Sequence, residues 1–347
     1  MTDEELVQFP EDYMHFDKEQ LLSDYDHLND DIKKSFEMGE LGDIPQTKQP
    51  IDHVFFLGMG GSSISGQFIK MYMEHLGIPI PITIVRDYDI PATMTTESLV
   101  FAISYSGNTE ETVNAYRQAN RITKRIIAIE DGGKLEEITK LNRNFFLKIP
   151  KGFQPRTAAI SYLFFPILKI LERYEIMPPQ RDDINQLIEN LSKHDFKKSA
   201  IAISEKLMHT VPIIYAAEKY FPIAYRFKTQ INEHAKTHAF ANAYSEFNHN
   251  EIVGYTNLNA EYHIITFKFD DNHRRIQKRM DLCKDITNKA GVPTTEIKIS
   301  GSHFLTKLYS AIIIGDLTAF YLALRNKINP SPVVFIDQLK EKMGPFI

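Results

Sequence analysis

The chain has 347 residues, 43% of them hydrophobic and 24% charged, with a formal net charge of −5. That is ordinary globular composition, and the length suits two domains or one two-lobed unit better than a single core. The acidic balance argues against a nucleic-acid partner, and Cys283 as the lone cysteine excludes an intrachain disulfide and fits a reducing, cytoplasmic setting.

No apolar run approaches the roughly 18–20 residues needed to span a bilayer. The acidic start MTDEELVQFPEDYMHF lacks the basic-then-apolar order of a signal peptide. In residues 1–47, Leu21, Leu22, Tyr25, Leu28, Ile32 and Phe36 recur at helical spacing, so one helix is expected there, followed by a loop with Gly39, Gly42 and Pro45. The pattern then changes. His53–Leu57, Ile80–Val85, Leu99–Ser104, Arg125–Ile129 and Phe145–Ile149 are short runs rich in Val, Ile, Leu and Phe without alternation. Such runs mark strands buried on both faces of a parallel sheet. Helical stretches such as Ser63–His75 and Asn108–Arg121 lie between them. These elements define a first α/β lobe over 48–178, closed by an apolar helix at 158–173 expected to kink at Pro166. Its Phe164–Phe165 pair, like Met71 and Met73 earlier, reads as packing.

Pro178–Pro179 breaks the chain, and a second α/β lobe is expected over 179–347. Its strands are Val211–Ala216, Tyr262–Phe267 and Thr294–Ile299. A long helix at Phe304–Asn326 and a shorter one after Pro332 follow. The fold class is therefore α/β, with two lobes, each a parallel sheet flanked by helices, behind an N-terminal helical segment.

Two loops carry chemistry. In Gly58-Met-Gly60-Gly61-Ser62-Ser63, glycines between a strand and a helix let the backbone approach a ligand, and the helix start offers unpaired N–H groups to an anion. This loop suits a phosphate or sugar, but a plain strand–helix turn or a dinucleotide site would also produce it. Against the dinucleotide, the third glycine of G-x-G-x-x-G is replaced by Ser63, and the first acidic residue after the next strand, Asp87, lies far along. The second loop, Ser104-Tyr-Ser106-Gly107-Asn108-Thr109, is more specific. Three hydroxyls converge on a helix start, where the macrodipole favours a dianion. Capping alone would need one of them.

The S-x-S-G-x-T loop set behind G-x-G-G-S resembles the sugar isomerase (SIS) fold. That resemblance implies a phosphosugar whose 6-phosphate rests on Ser104, Ser106 and Thr109, with Gly60, Gly61 and Ser62 beside it. In the second lobe, Asn232-Glu233-His234-Ala-Lys236 and Ser245-Glu246-Phe247-Asn248-His249-Asn250-Glu251 resemble the N-E-N-A-K and P-E-L-N-H-N-E patterns of the bifunctional phosphoglucose/phosphomannose isomerases. His234, Ser245 and Phe247 are the departures, and none removes a catalytic group. Pro155-Arg156-Thr-Ala resembles the family's P-R-x-A. Asn329-Pro330-Ser331-Pro332 through Lys340 resembles D-P-T-P-V-x-x-I-x-x-L-K.

The resemblance implies a cofactor-free aldose–ketose isomerase of glucose 6-phosphate, with mannose 6-phosphate as second substrate. Glu233 is the implied base and Arg156 the cation that stabilises the enediolate. Lys340 would contact the ring oxygen or a neighbouring hydroxyl. His249, which the resemblance supplies from the neighbouring subunit of a homodimer, would assist ring opening. Ser331 keeps a hydroxyl where the family has a threonine linked to acceptance of both C2 epimers.

His234 and His238 are one helical turn apart, a spacing that can bind zinc. The absence of H-E-x-x-H and the intervening Lys236 weigh against a metal, and none is expected. A phosphosugar-sensing regulator without catalysis, or an isomerase of another phosphosugar, are the alternatives. A regulator would keep the Ser104–Thr109 loop without needing Glu233, His249 and Lys340 together.

Overall fold

A computed structural model describes residues 9–45 and 49–344. Two compact units partition the chain, one over 26–188 and the other over 189–344 together with the described residues up to Tyr25. The N-terminal helical segment is two helices, α1 (Leu21–Asp26) and α2 (Leu28–Met38), in place of one. The break at His27 falls where the chain passes from one core to the other. Tyr25 donates to Asp316 (3.2 Å) in the 189–344 unit, whereas Asp31 accepts from Tyr162 (2.9 Å) in the 26–188 unit. Residues 1–8, and 46–48 at the end of this expected segment, lie outside the described residues.

The first lobe holds five parallel strands, β1 (Val54–Leu57), β2 (Ile82–Val85), β3 (Leu99–Ser104), β4 (Ile126–Glu130) and β5 (Phe145–Lys148), in the order β2-β1-β3-β4-β5. Every residue of β1, β3 and β4 is buried, which is why these strands lack alternation. Crossover helices α3 (Gly60–His75), α4 (Glu110–Ile122) and α5 (Gly133–Asn142) follow β1, β3 and β4. The strand order reverses between β1 and β3, so the connections leaving these two strands diverge to opposite sides and open a crevice at their carboxyl ends. Both motif loops leave from that crevice.

The expected kinked helix over 158–173 is instead a one-turn helix α6 (Pro155–Ala158), a run of turns, and α7 (Phe165–Arg173). Pro166 sits in the first turn of α7, where its missing N–H interrupts nothing, so it starts a helix and kinks none. Helix α8 (Arg181–Ser192) then crosses the division between the units.

The second lobe has four parallel strands, β6 (Val211–Ala216), β7 (Phe240–Ala243), β8 (Tyr262–Phe269) and β9 (Thr294–Ile299), in the order β7-β6-β8-β9. The edge strand β7, Phe-Ala-Asn-Ala, carries no β-branched residue and gave no local signal. Its helices are α9 (Lys197–Lys206), α10 (Phe221–His234), α11 (Tyr244–Phe247), α12 (Arg274–Lys289), α13 (Phe304–Arg325) and α14 (Val334–Met343). By length and composition α13 could cross a membrane, contrary to the reading of the apolar runs, but 89% of its apolar window is buried inside the lobe.

This sheet also reverses, between β6 and β8, yet its crevice is filled by the chain itself. Asp271 accepts from Tyr220 (2.7 Å) and pairs with Lys219 (3.0 Å) and Lys307 (3.2 Å). Asp270 pairs with Lys307 (3.1 Å) and accepts from the Gly301 N–H (2.9 Å). Burial opposes ionisation of Asp271, but the hydrogen bonds from Tyr220, Lys219 and Lys307 outweigh it and hold its pKa at about 2. Two fixed carboxylates with their lysine partners thus stand at the carboxyl end of β8, where the first lobe has only hydroxyls and amides after β3.

Candidate active site

The loop after β3 turns at Gly107, whose φ is +65°. A Cβ there would stand 1.7 Å from the Gly132 carbonyl oxygen, so only glycine lets the loop lie against the Gly132–Gly133 turn. Leu135 N–H donates to the Gly107 carbonyl (2.8 Å) and Lys134 N–H to Asn108 Oδ1 (2.9 Å), which fixes the loop to the start of α5. Thr109 occupies the N-cap of α4 but makes no side-chain cap hydrogen bond. Its hydroxyl instead lies 3.0 Å from that of Ser104. Capping therefore does not account for this threonine, and the amides of the first turn of α4 are left to an incoming acceptor. Ser104 is buried, while Ser106 is exposed and accepts from the Asn108 N–H (3.3 Å).

At the loop after β1, Gly60 has φ +50° and a Cβ there would meet open space. Ser63 and Ser65 turn their hydroxyls onto backbone carbonyls of α3, whereas the Ser62 hydroxyl makes no hydrogen bond among the described residues. The close helix–strand approach that the third glycine of a dinucleotide motif provides is made by Gly66 against Phe56. Arg156, on α6, is 5% exposed, and its Nη2 lies 3.5 Å from Gln154 Oε1. A guanidinium held in so little solvent exerts a strong field, because the low dielectric around it screens its charge less.

In the second lobe Glu233 is half-buried in the last turn of α10 and faces a cavity of about 720 Å³, within the range of small-molecule sites. Asn232, Lys236 and His238 share its polar wall, and Val334, Phe335 and Ile336 at the start of α14 form an apolar wall. Lys340 is exposed, beyond these lining residues on α14. His249 is exposed after α11, on a loop anchored by Glu251, whose carboxylate accepts from Tyr215 (2.9 Å) and Asn242 (2.7 Å). Within its own lobe His249 is not among the residues lining the cavity.

His234 does not pair with His238 as a metal ligand. Its ring is fully buried, with Nδ1 3.4 Å from the Pro330 carbonyl and Nε2 2.9 Å from the Gln230 amide nitrogen. Among the described residues no three His, Cys, Asp or Glu side chains cluster as a metal site.

Glu130 escaped the sequence reading. It ends β4 beside Ser104 in strand register, is fully buried, and among the described residues neither oxygen has a hydrogen-bond partner of full geometry, the Gly132 N–H being only nearby. Burial and the neighbouring Glu136 carboxylate push its pKa up to about 7, against the pull of Lys148 and the Gly132 N–H. An acidic residue ending a run of hydrophobics, Ile126–Ile129, was the available signal.

Two all-parallel lobes with a hydroxyl-lined helix start at the first switch point define the class of SIS-domain proteins. A family model for the SIS domain matches residues 49–141, and one for the bacterial phospho-glucose isomerase C-terminal SIS domain matches residues 196–343. The chain is 35% identical to a bifunctional phosphoglucose/phosphomannose isomerase of Caldicellulosiruptor bescii, over 92% of this chain and 97% of that protein. It is 33% identical to a D-glucosamine-6-phosphate 4-epimerase of Sulfolobus acidocaldarius over 65% of this chain and 70% of that one. A hypothetical protein of Thermus thermophilus shares the fold with a TM-score of 0.70 at 12% identity, over 96% of each chain. The chain belongs to the bifunctional phosphoglucose/phosphomannose isomerase family.

Proposed function

We infer that the chain is a sugar-phosphate isomerase that interconverts glucose 6-phosphate, and mannose 6-phosphate, with fructose 6-phosphate. The observation that carries this reading is Glu233, a half-buried carboxylate opening on a cavity of ligand size. Aldose–ketose conversion moves one proton between C2 and C1 through a cis-enediol. In the open-chain aldose, Glu233 takes the C2 proton while the C1 carbonyl oxygen takes up a proton, giving the enediol. It then returns its proton to C1 while the C2 hydroxyl gives up its own and becomes the carbonyl, so one proton passes from C2 to C1, one passes from O2 to O1, and nothing is gained or lost overall. No metal or nucleotide is required by this scheme.

The remaining roles are those that the family resemblance implies. Ser104, Ser106, Thr109 and Ser62, with the amides at the start of α4, hold the 6-phosphate. Arg156 stabilises the enediolate oxygens. Lys340 and His249 assist ring opening, with His249 supplied by the partner of a homodimer. The exposure of His249, on a loop that also presents Val253 at 65% exposure, supports a residue that serves another subunit. Ser331 is the position where tolerance of both C2 epimers would be set.

The test is a coupled assay on chelator-treated protein, with each aldose phosphate separately and fructose 6-phosphate detected. Turnover of both supports the dual isomerase, and turnover of glucose 6-phosphate alone narrows its specificity. Phosphosugar binding without turnover favours a sensor, and conversion of glucosamine 6-phosphate alone moves the assignment to an epimerase. Glu233→Gln should lower kcat by at least about 10³-fold while phosphosugar binding persists.

A further inference from the structure

We propose that a buried hydrogen-bond chain, Asp316–Arg226–Gln230–His234–Pro330, is a positioning device that locks the end of α10, and with it Glu233, against the segment leading into α14. The proposal rests on the reading of Glu233 as the proton shuttle.

The chain starts at a salt bridge whose side chains are 2% and 1% exposed. Arg226 donates from Nε to Asp316 Oδ1 (3.0 Å) and from Nη2 to Oδ2 (2.6 Å). A guanidinium only donates, so the amide oxygen of Gln230 faces it, 3.0 Å from Nη2. The Gln230 amide nitrogen then donates to His234 Nε2 (2.9 Å), which leaves Nδ1–H for the Pro330 carbonyl (3.4 Å). With the Gln230 amide nitrogen facing Nε2, the proton of His234 falls on Nδ1, so the links run in one direction from Arg226 to Pro330.

The geometry connects this chain to the catalytic candidates. Arg226, Gln230 and His234 are spaced by four on α10 and share its inward face, so Glu233 projects from a neighbouring face toward the cavity. The Pro330 carbonyl also accepts from Lys236 Nζ (3.1 Å), and the same ammonium donates to the Glu233 carbonyl. Lys236 is held at φ +53°, a left-handed conformation disfavoured for a lysine. The last turn of a helix frays unless its carbonyls find partners. Here that turn is pinned from inside by His234 and from outside by Lys236, both on one carbonyl of the segment that leads to Lys340.

Stability alone does not account for the arrangement, since a buried ion pair is often no better than apolar side chains of the same volume. A base that moves a proton between adjacent carbons must reach both, and a displacement of about 1 Å can cost about 100-fold in rate. An asparagine at 234 could also accept and donate, though over a shorter reach.

The test compares wild type with His234→Leu, which keeps the volume but ends the chain, and His234→Asn. With folding checked by circular dichroism, His234→Leu is expected to lose about 30-fold or more in kcat for fructose 6-phosphate with KM nearly unchanged, and His234→Asn to recover most of it. Amide hydrogen exchange over 231–236 and 329–333 should quicken in His234→Leu. A folded His234→Leu with kcat within about 2-fold of wild type, or with a raised KM at unchanged kcat, overturns the proposal. Should His234→Leu fail to fold, Gln230→Met breaks the chain one link earlier and is judged by the same split. A wild type without turnover would defeat the proton-shuttle reading instead. The exchange measurement then decides the positioning proposal alone, and unchanged protection would overturn it.

Discussion

Gly61 and Pro155 are packed so closely that a side-chain carbon on Gly61 would stand 2.9 Å from the Pro155 carbonyl oxygen and 3.4 Å from Ala159 Cβ. The start of α3 thus touches the helix that carries Arg156, and the missing Cβ sets their separation. Gly61→Ala should displace α6, costing about 1–3 kcal/mol of stability as overpacking does, and lowering kcat through Arg156. Gly60→Ala meets open space and should cost only the roughly 1 kcal/mol of a left-handed alanine. Urea denaturation beside steady-state kinetics would separate the two, and equal effects would refute the packing argument.

The bond between the Ser104 and Thr109 hydroxyls is taken to organise the phosphate site. Thr109→Val keeps the shape and removes the hydroxyl, so KM for each phosphosugar should rise about 10-fold, with a similar loss for inorganic phosphate as a competitor. Little change in helix stability is expected, because Thr109 does not cap α4 through its side chain. A destabilised protein with unchanged KM would return this threonine to a capping role.

Glu130 makes stability depend on pH. Its folded pKa of about 7 lies above the ordinary 4.5, so the folded state binds the proton more tightly. Below 4.5 both states are protonated and no penalty exists. Stability falls as pH rises from 4.5 toward 7, where the unfolded chain ionises first, and the full penalty remains above 7. Glu130→Gln should therefore stabilise the protein at pH 8 by on the order of 2–3 kcal/mol relative to its effect at pH 4.5. Denaturation curves of both proteins at the two pH values test this, and parallel pH profiles would contradict it.

Asp316→Leu leaves the Arg226 guanidinium buried without its anion and should cost about 3–5 kcal/mol. Arg226→Met combined with Asp316→Leu should recover most of that stability, because both buried charges are then gone. If the chain positions Glu233, the double variant nevertheless stays impaired in kcat. Chemical denaturation and initial rates on the same preparations separate stability from position.

The first and second lobes were legible to different depths. Leu99–Ser104 and Val211–Ala216 announced themselves as unalternating hydrophobic runs because both their faces are covered. Phe240–Ala243 did not, since its strand state depends on pairing with β6 and on nothing in its own side chains. Residues 158–164 look helical by composition, but the segment turns there, and Pro166 begins a new helix. The spacing of His234 and His238 left a weak metal signal in the string, and nothing there showed that His234 is buried with Nδ1 on the Pro330 carbonyl and Nε2 facing Gln230.

By itself the sequence determined most of the buried strands and where the hydroxyl-bearing loop lies, while its resemblance to a family supplied the candidate carboxylate, histidine, lysine and arginine. Periodicity, turn residues and spacing are local properties, and they survive in a one-dimensional string. Tertiary structure alone decided that the strand order reverses between β1 and β3, and that Asp270 and Asp271 fill the matching crevice of the second lobe. It also decided that Arg226 meets Asp316 across 90 positions and that Glu130 is shut away from water beside Ser104. These depend on which distant surfaces pack together, a choice made by burial and hydrogen-bond satisfaction over a whole lobe.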